Sequence, residues 1–182
     1  MKKAVIVLAD GFETVEALAP VDILRRGGVE VTMASITQDR IVTSSHKVRM
    51  ETDALLSELN VLEYDAIILP GGMPGTIHLG ESELVKEALL AMNEAGKLLA
   101  AICAAPGVLG KYGILTGKNA CSYPEHEANL TGANVLRDAV VVDGNIVTSR
   151  GMGTTLKFSF KLLEILMSRE RAEEVKGAII YY

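Results

Sequence analysis

Cys103 is the residue of this chain whose surroundings best suit nucleophilic chemistry. It follows a continuous apolar run at residues 98–102, and Pro106 comes three residues later. Because the fixed φ angle of proline suits the first turn of a helix, the spacing predicts a buried strand, a sharp turn at Cys103 and a helix. A helix N-terminus favours a thiolate and lowers a cysteine pKa from about 8.5 to roughly 3.5–7.5. A buried cysteine that only packs as a small apolar side chain is the alternative.

Glu16 is the carboxyl group that could act together with such a cysteine. It is predicted near the start of the first helix, where it could lean toward Cys103, and Glu13 is its more exposed neighbour. A carboxyl beside a thiolate resists ionisation, because adjacent anions repel and burial acts in the same direction. A protonated Glu16 bonded to the sulfur would supply a general acid and base. A glutamate that only complements the helix dipole is the alternative.

Gly71 and Gly72 follow another predicted strand and could complete the site. Without side chains, they can turn their backbone N–H groups toward a substrate oxyanion. A plain turn between strand and helix explains the pair equally well. The loop has neither the lysine nor the spacing of a phosphate-binding P-loop, which disfavours kinases and nucleotide hydrolases.

The three histidines are His46, His78 and His126, and none is adjacent to Cys103 in the sequence. A Cys-His couple would therefore have to be assembled by the fold, with His126 best placed because it follows a predicted strand end. Most lone histidines are surface or capping residues, so a catalytic His126 is the less favoured interpretation. Cys121 lies in a predicted strand and suits packing. Closely spaced Cys/His pairs are lacking, so we predict neither a metal site nor a cofactor.

Alternating strands and helices must position these residues. The apolar patterns predict strands at 3–9, 29–36, 65–69, 98–102, 119–122, 139–142 and 145–149, and a small hairpin at 41–43 and 48–51. Helices are predicted from about 15 to the glycines at 27–28, from Ser82 to near Gly96, after Pro106, at 154–167 and at 171–176. This alternation indicates a doubly wound α/β sandwich with a mostly parallel sheet. Ligands in such folds bind beyond the carboxyl ends of the strands, which selects the loops 10–16, 71–76 and 103–106.

Composition limits the function classes. The 182 residues are 49% hydrophobic, which suits a single domain over residues 1–182. Two cysteines are too few for a disulfide framework, and neither a signal peptide nor a membrane-spanning apolar run is found, so we expect a soluble cytoplasmic protein without membrane contact. The net charge of −5 and the scattered basic residues argue against nucleic acid as the main partner.

Five ordered motifs resemble those of the ThiJ/PfpI superfamily, and most closely its DJ-one/YajL branch. They are DGFETVE at 10–16, PVD at 20–22, LPGG at 69–72, AAICAAP at 100–106 and TSRG at 148–151. The resemblance implies a flavodoxin-like three-layer sandwich and a homodimer. It also implies a nucleophile-elbow cysteine at Cys103, a partner carboxylic acid at Glu16, and backbone oxyanion donors around Gly71, Gly72 and Ala104.

Three positions distinguish the chain from relatives in that superfamily. Tyr123 precedes Pro124 where many members of the branch carry a histidine, and a tyrosine is a poor base at neutral pH, so a histidine base would have to be His126. His46 stands in the region where some relatives carry an arginine. Ala104 follows the cysteine where the peptidase-like branch has a histidine, which disfavours proteolysis. Arg150 matches its motif and is expected to support the loops or the dimer.

The resemblance implies a cofactor-independent enzyme in which Cys103 attacks a small reactive carbonyl, such as the 2-oxoaldehyde methylglyoxal, while Glu16 moves the proton. This chemistry corresponds to the glyoxalase III and deglycase activities attributed to the family. The alternative is an oxidant sensor whose Cys103 becomes a sulfinate, with a chaperone or stress-response role. The name of the superfamily refers to a role in thiamine metabolism, but this chain has no phosphate-binding lysine that would support such a role.

Overall fold

The computed structural model describes residues 1–181 and shows a mostly parallel sheet between two layers of helices. In chain order the strands are β1 (Lys3–Leu8), β2 (Glu30–Ser35), β3 (Ile41–Thr43), β4 (Arg49–Glu51), β5 (Ala54–Leu55), β6 (Ala66–Leu69), β7 (Leu98–Ile102), β8 (Asn119–Ala120), β9 (Asn134–Val135), β10 (Val140–Asp143) and β11 (Ile146–Ser149). The helices are α1 (Thr14–Arg26), α2 (Gly75–Glu81), α3 (Glu83–Glu94), α4 (Pro106–Lys111), α5 (Thr155–Leu166) and α6 (Arg169–Ala178). Short 3₁₀ helices lie at 56–58, 61–63, 124–129 and 152–154.

The main sheet has seven strands in the order β10-β11-β7-β6-β1-β2-β5. Its pairs are parallel except β10 with β11, which form the antiparallel hairpin predicted around Asp143 and Gly144. Two small sheets, β3 with β4 and β8 with β9, lie outside it. The predicted flavodoxin-like α/β fold is confirmed. None of the helices described in residues 1–181 is long and apolar enough to cross a membrane.

Apolar side chains on both faces of the sheet form two cores. In β1, Ala4, Ile6 and Leu8 pack in the core shared with α1, α5 and α6. The alternate residues Val5 and Val7 pack in the core shared with α2, α3 and α4. A strand that is buried on both faces has a continuous apolar sequence, which is why this run could be recognised without an alternating pattern.

The strand order brings the predicted functional loops to one edge of the sheet. After β2 the chain crosses to the other side of β1, where it forms β6 and then β7. The carboxyl ends of β1 and β6 therefore flank a topological switch point, the usual location of ligand sites in such sheets. Glu16, Gly71 and Cys103 follow β1, β6 and β7 respectively.

Several elements differ from the sequence-based predictions. Helix α2 was not predicted, because its sequence GTIHLGE is short and contains two glycines. Tertiary contacts hold it in place: Leu79 is buried, and a Cβ on Gly75 would lie only 2.7 Å from the backbone of Gly11. The two-residue strands β5 and β9 are too short to produce a periodic signal. The strand predicted at 119–122 is confined to its first two residues.

Candidate active site

Cys103 lies on a sharp turn between β7 and α4, in a backbone conformation that is uncommon for a residue with a side chain. Its φ angle is +65°, in the left-handed region. This conformation lowers the folding stability by about 1–3 kcal/mol, and it persists only where the surrounding structure fixes it. The Cys103 N–H donates to the carbonyl oxygen of Ser149 at 3.0 Å, and its carbonyl oxygen accepts from the N–H of Tyr123 at 2.9 Å. Pro106 then starts α4, as the sequence predicts.

Glu16 lies in the first turn of α1, with its side chain directed into the protein. Only 1% of the residue is exposed. Glu13 caps the helix, and its Oε2 accepts the N–H of Glu16 at 2.7 Å. The N–H of Gly71 donates to Glu16 Oε2 at 3.0 Å. The capping residue and the loop after β6 therefore fix the carboxyl group from two sides.

Two glycines let the loop after β6 pass between α1 and the elbow. A Cβ on Gly71 would lie 2.6 Å from Cys103 Cβ and 2.6 Å from Glu16 Oε2. Gly72 has a φ angle of +94°, and a Cβ there would overlap the backbone of Glu13. Glycine at both positions is thus a steric requirement for bringing Cys103 and Glu16 together.

Burial and mutual contact control the ionisation of the pair. Burial is the largest influence on Glu16 and raises its pKa to about 7. The hydrogen bond with Cys103 lowers this pKa, the charge of Glu13 raises it, and the N–H of Gly71 lowers it. Burial, followed by the charge and the hydrogen bond of Glu16, raises the pKa of the Cys103 thiol to about 12, while the N–H groups of Ala104 and Gly72 oppose the rise. The prediction of a lowered thiol pKa, which considered only the helix α4, is therefore wrong. Burial thus opposes the ionisation of both groups, and the charge of Glu16 further opposes that of the thiol.

The predicted oxyanion donors have different roles in this arrangement. The N–H of Gly71 is bound to Glu16, so it positions the acid and is not free for a substrate oxygen. The N–H groups of Gly72 and Ala104 instead stabilise negative charge at the Cys103 sulfur. These two donors are the ones that a substrate oxygen at the sulfur could reach.

Tyr123 and Arg150 lie next to this centre. The backbone of Tyr123 is bonded to Cys103, its side chain is 43% exposed, and its Cδ2 lies 3.4 Å from the position of a Cβ on Gly151. Arg150 holds the surrounding loops: its Nε donates to the carbonyl oxygen of Ser122 at 3.4 Å, and its guanidinium lies 3.5 Å from a carboxylate oxygen of Glu127. Arg150 thus supports the segment that carries Tyr123.

The other predicted candidates lie around the centre. His126 is on the 3₁₀ helix at 124–129, with its ring centroid 6.4 Å from that of Tyr123, and it borders a cleft beside Ala104. His46 is exposed, beside the Ser45 hydroxyl. Cys121 is fully buried, where its sulfur accepts from the Thr148 hydroxyl at 3.6 Å. Within residues 1–181, three or more potential metal ligands do not come together.

Gly151 is a site residue to which the sequence analysis assigned no role. A Cβ at this position would lie 4.0 Å from Glu16 Oε1 and 3.4 Å from the Tyr123 ring, which are ordinary contact distances, so the residue borders both side chains. It follows β11, whose parallel pairing with β7 brings its carboxyl end to the same edge of the sheet. The rule that selected the other three loops would have selected this one too, had the pairing of β11 been known.

Comparison with known proteins identifies the family. The model of the DJ-1/PfpI family matches residues 2–165. The chain belongs to the DJ-1/PfpI family. Protein dj-1beta of Drosophila melanogaster is 40% identical over 184 aligned residues, which cover 100% of this chain and 98% of that protein. The glutathione-independent glyoxalase DJR-1.2 of Caenorhabditis elegans is 32% identical, with 96% of this chain and 94% of that protein covered.

Solved structures of DJ-1/PfpI proteins have the same fold. The structure of oxidized DJ-1 from Toxoplasma gondii superimposes with a TM-score of 0.96 at 35% sequence identity, covering 100% of this chain and 99% of the other. Some relatives are longer, since this chain spans 41% and 46% of DJ-1 homologs B and A of Arabidopsis thaliana. The resemblance drawn from the five sequence motifs is thereby confirmed.

Proposed function

We propose that this protein is a cofactor-independent enzyme that converts small 2-oxoaldehydes to 2-hydroxy acids without glutathione. The observation that carries the proposal is the buried Glu16 carboxyl beside Cys103: a Cβ on Gly71 would lie 2.6 Å from both side chains, and each group shifts the pKa of the other. Because its pKa is about 7, Glu16 can both accept and donate a proton at neutral pH, which general acid–base catalysis requires. The name of the C. elegans relative, a glutathione-independent glyoxalase, supports the same chemistry.

The reaction starts at the sulfur. Glu16 as carboxylate accepts the thiol proton while the Cys103 sulfur forms a bond to the aldehyde carbon. The aldehyde oxygen becomes an alkoxide, which the N–H groups of Gly72 and Ala104 are placed to stabilise. Glu16 then returns the proton to this oxygen, and the product is a hemithioacetal.

The second half of the reaction moves hydrogen between two carbon atoms. Glu16 removes the proton from the former aldehyde carbon, which gives an enediolate. Glu16 returns this proton to the neighbouring carbon, and the hydroxyl proton on the first carbon passes to the oxygen on the second, which gives a thioester. Water cleaves the thioester, releases the 2-hydroxy acid and restores the thiol. One carbon is oxidised and its neighbour is reduced, so the reaction needs no external oxidant, reductant or cofactor.

Lactate formation from methylglyoxal tests the proposal directly. The purified protein without glutathione should form lactate, Cys103→Ala should abolish this activity, and Glu16→Gln should reduce it by about 10²–10⁴-fold, the usual contribution of a general acid or base. Cys121→Ala is the matched control, because it removes a thiol that has no contact with the site. Lactate formation by Cys103→Ala at the wild-type rate, or its absence in the wild type, would reject the proposal.

A protein adduct of the same aldehydes is a related substrate, which would make the enzyme a deglycase. Measuring adduct release on a glycated peptide after free methylglyoxal has been removed distinguishes the two activities. Release that continues under this condition and requires Cys103 would favour the deglycase. Release that stops with the removal of free aldehyde would favour the glyoxalase.

Oxidant sensing is the second candidate function. Cys103 is partly exposed, and one solved relative is an oxidized DJ-1. Two peroxide molecules would each transfer one oxygen atom to the sulfur, giving a sulfinate that the neighbouring N–H groups stabilise. Conversion by dilute peroxide, followed by mass spectrometry, in a protein that shows no aldehyde turnover would favour the sensor. A chaperone or stress-response output would then depend on the oxidised form.

We further propose that a second copy of the chain is a partner. Exposed apolar side chains flank the site: Val15 (42% exposed) and Met152 (56%) adjoin Glu16 and Gly151, and Leu156 (39%) follows on α5. Exposed apolar side chains of this size are common at protein interfaces. Light scattering measures the mass in solution, and a monomeric mass at micromolar concentration would reject the dimer.

A further inference from the structure

A cleft of about 450 Å³ opens beside the Cys103 elbow and is not used by the reaction proposed above. It is bordered by α2, α4 and the 3₁₀ helix at 124–129. Met73 and Ala104 are among its lining residues. Ala104 itself and Gly72, the residue before Met73, supply the N–H groups that stabilise charge at the sulfur. The cleft therefore lies against the two loops that surround the Cys103 sulfur.

The walls of the cleft are held by close backbone packing. A Cβ on Gly107 would lie 2.9 Å from Asn129 Cβ, and a Cβ on Gly110 would overlap the carbonyl oxygen of Asn129. On the opposite side, the Lys111 ammonium and the Tyr112 hydroxyl donate to the carbonyl oxygen of Gly80 at the end of α2. These contacts fix α2, α4 and the 3₁₀ helix relative to each other, so the cleft is pre-formed.

The lining indicates which chemical groups fit. Met73 and Ile77 are each 46% exposed, and together with the buried Val108 they give the cleft an apolar side. The rest of the lining is polar: Lys111 and Glu81 contribute one charge of each sign, and hydrogen-bonding groups come from Thr76, His126, Asn129 and Thr131. The apolar side formed by Met73, Ile77 and Val108 suits an alkyl or aryl group.

The volume also exceeds what methylglyoxal needs. Small-molecule sites occupy about 300–1,000 Å³. The cleft of about 450 Å³ lies within this range, whereas a three-carbon aldehyde would fill only a small part of it. A larger electrophile could place its carbonyl group at Cys103 and its apolar end beside Ile77.

We propose that this cleft is a subsite for the apolar alkyl or aryl substituent of the carbonyl compounds that react at Cys103, and that Ile77 determines its selectivity. This proposal specifies the substrate class of the enzyme proposed above, and to that extent it rests on that function. The subsite itself can be tested without enzymatic turnover, because an electrophile that alkylates the Cys103 sulfur must place its substituent near the sulfur.

The test compares the alkylation of Cys103 by iodoacetamide and by N-benzyl iodoacetamide. In both reactions a sulfur–carbon bond forms, the carbon–iodine bond breaks, iodide leaves and the thiol proton passes to solvent. Mass spectrometry of the Cys103 peptide gives the rate constants of both reagents. The benzyl preference is the ratio of these two rate constants divided by the same ratio for free cysteine. Ile77→Trp fills the cleft, while Leu90→Trp on α3 is the control at a position of similar exposure, 40%.

We expect a benzyl preference of about tenfold in the wild type, since hydrophobic pockets discriminate by at least this factor. Ile77→Trp should abolish the preference without changing the iodoacetamide rate, and Leu90→Trp should leave both rates unchanged. A wild type without preference, or a preference that survives in Ile77→Trp, would overturn the subsite. A benzyl preference without lactate formation would reject the proposed enzyme activity and support the subsite. Lactate formation without a benzyl preference would support the enzyme activity and reject the subsite.

Discussion

Gly71→Ala probes the close packing between Cys103 and Glu16. The added Cβ would lie 2.6 Å from both Cys103 Cβ and Glu16 Oε2, whereas ordinary contact begins at 3.4 Å, so the groups must separate by about 0.8 Å. The carbonyl oxygen of Ile102, 3.0 Å away, closes a third direction. The methyl group therefore has to push apart the nucleophile, the acid or the loop between them.

The magnitude follows from this geometry. Inserting a methyl group into a packed site costs about 1–3 kcal/mol of unfolding free energy. In a chain of this size each kcal/mol lowers the melting temperature by roughly 2–4 °C. A displacement close to 1 Å at a reacting group costs about 100-fold in rate. We expect Gly71→Ala to fold, to melt at a lower temperature, and to lose about 100-fold in kcat/KM for methylglyoxal.

Thermal denaturation and lactate formation measure the two effects separately. Gly153→Ala is the matched control, because a Cβ at Gly153 meets no atom within 4 Å and the residue lies on the nearby 3₁₀ helix at 152–154. This control should stay within about 0.5 kcal/mol of the wild type. If Gly71→Ala retained wild-type stability and full activity, Cys103 and Glu16 would not be as close as the structure places them.

Three predictions concern the Cys103–Glu16 pair. Glu16→Gln removes the negative charge that raises the thiol pKa, so alkylation of Cys103 by iodoacetamide at pH 8 should accelerate while lactate formation falls; slower alkylation would contradict this. Because folding raises the pKa of Glu16 from 4.5 to about 7, the folded state binds more protons than the unfolded state between these values, and stability falls as pH rises through this window. Urea denaturation should therefore show that the unfolding free energy of the wild type falls by at most about 3 kcal/mol relative to that of Glu16→Gln between pH 4.5 and 7.5. This limit follows from about 1.36 kcal/mol for each pKa unit. Parallel pH curves for the two proteins would refute the assignment. Glu13→Gln keeps an acceptor for the cap but removes a charge that raises the pKa of Glu16, so the acidic limb of kcat/KM should move to lower pH, and an unmoved limb would exclude the effect of Glu13.

Local signals predicted most of the fold. The continuous apolar runs of β1 and β7, the Ser82 cap whose Oγ accepts from the N–H of Val85, and the Asp143–Gly144 turn each depend on interactions within a few residues. Helix α2 and strand β9 could not be predicted in this way. Both are short, and contacts with distant segments hold them in place.

The sequence by itself determined which residue types reach the candidate site. It predicted the turn at Cys103 from the apolar run and Pro106, and it selected the loops of Glu16 and Gly71 because parallel strands end at a common edge. The proximity of the five motifs in space was an inference from that rule and from the family resemblance, since the motifs lie far apart along the chain.

Only the tertiary structure decided the direction of the thiol pKa shift and the shape of the surroundings of the pair. Burial and a facing carboxyl group outweigh the N–H groups at the elbow, so the thiol pKa is raised and not lowered. The Gly71 N–H turns to Glu16, and the cleft beside Ala104 forms where α2 meets α4. The physical reason is the same in each case: desolvation and charge interactions depend on distances in space, which segments far apart in the chain set together when they pack.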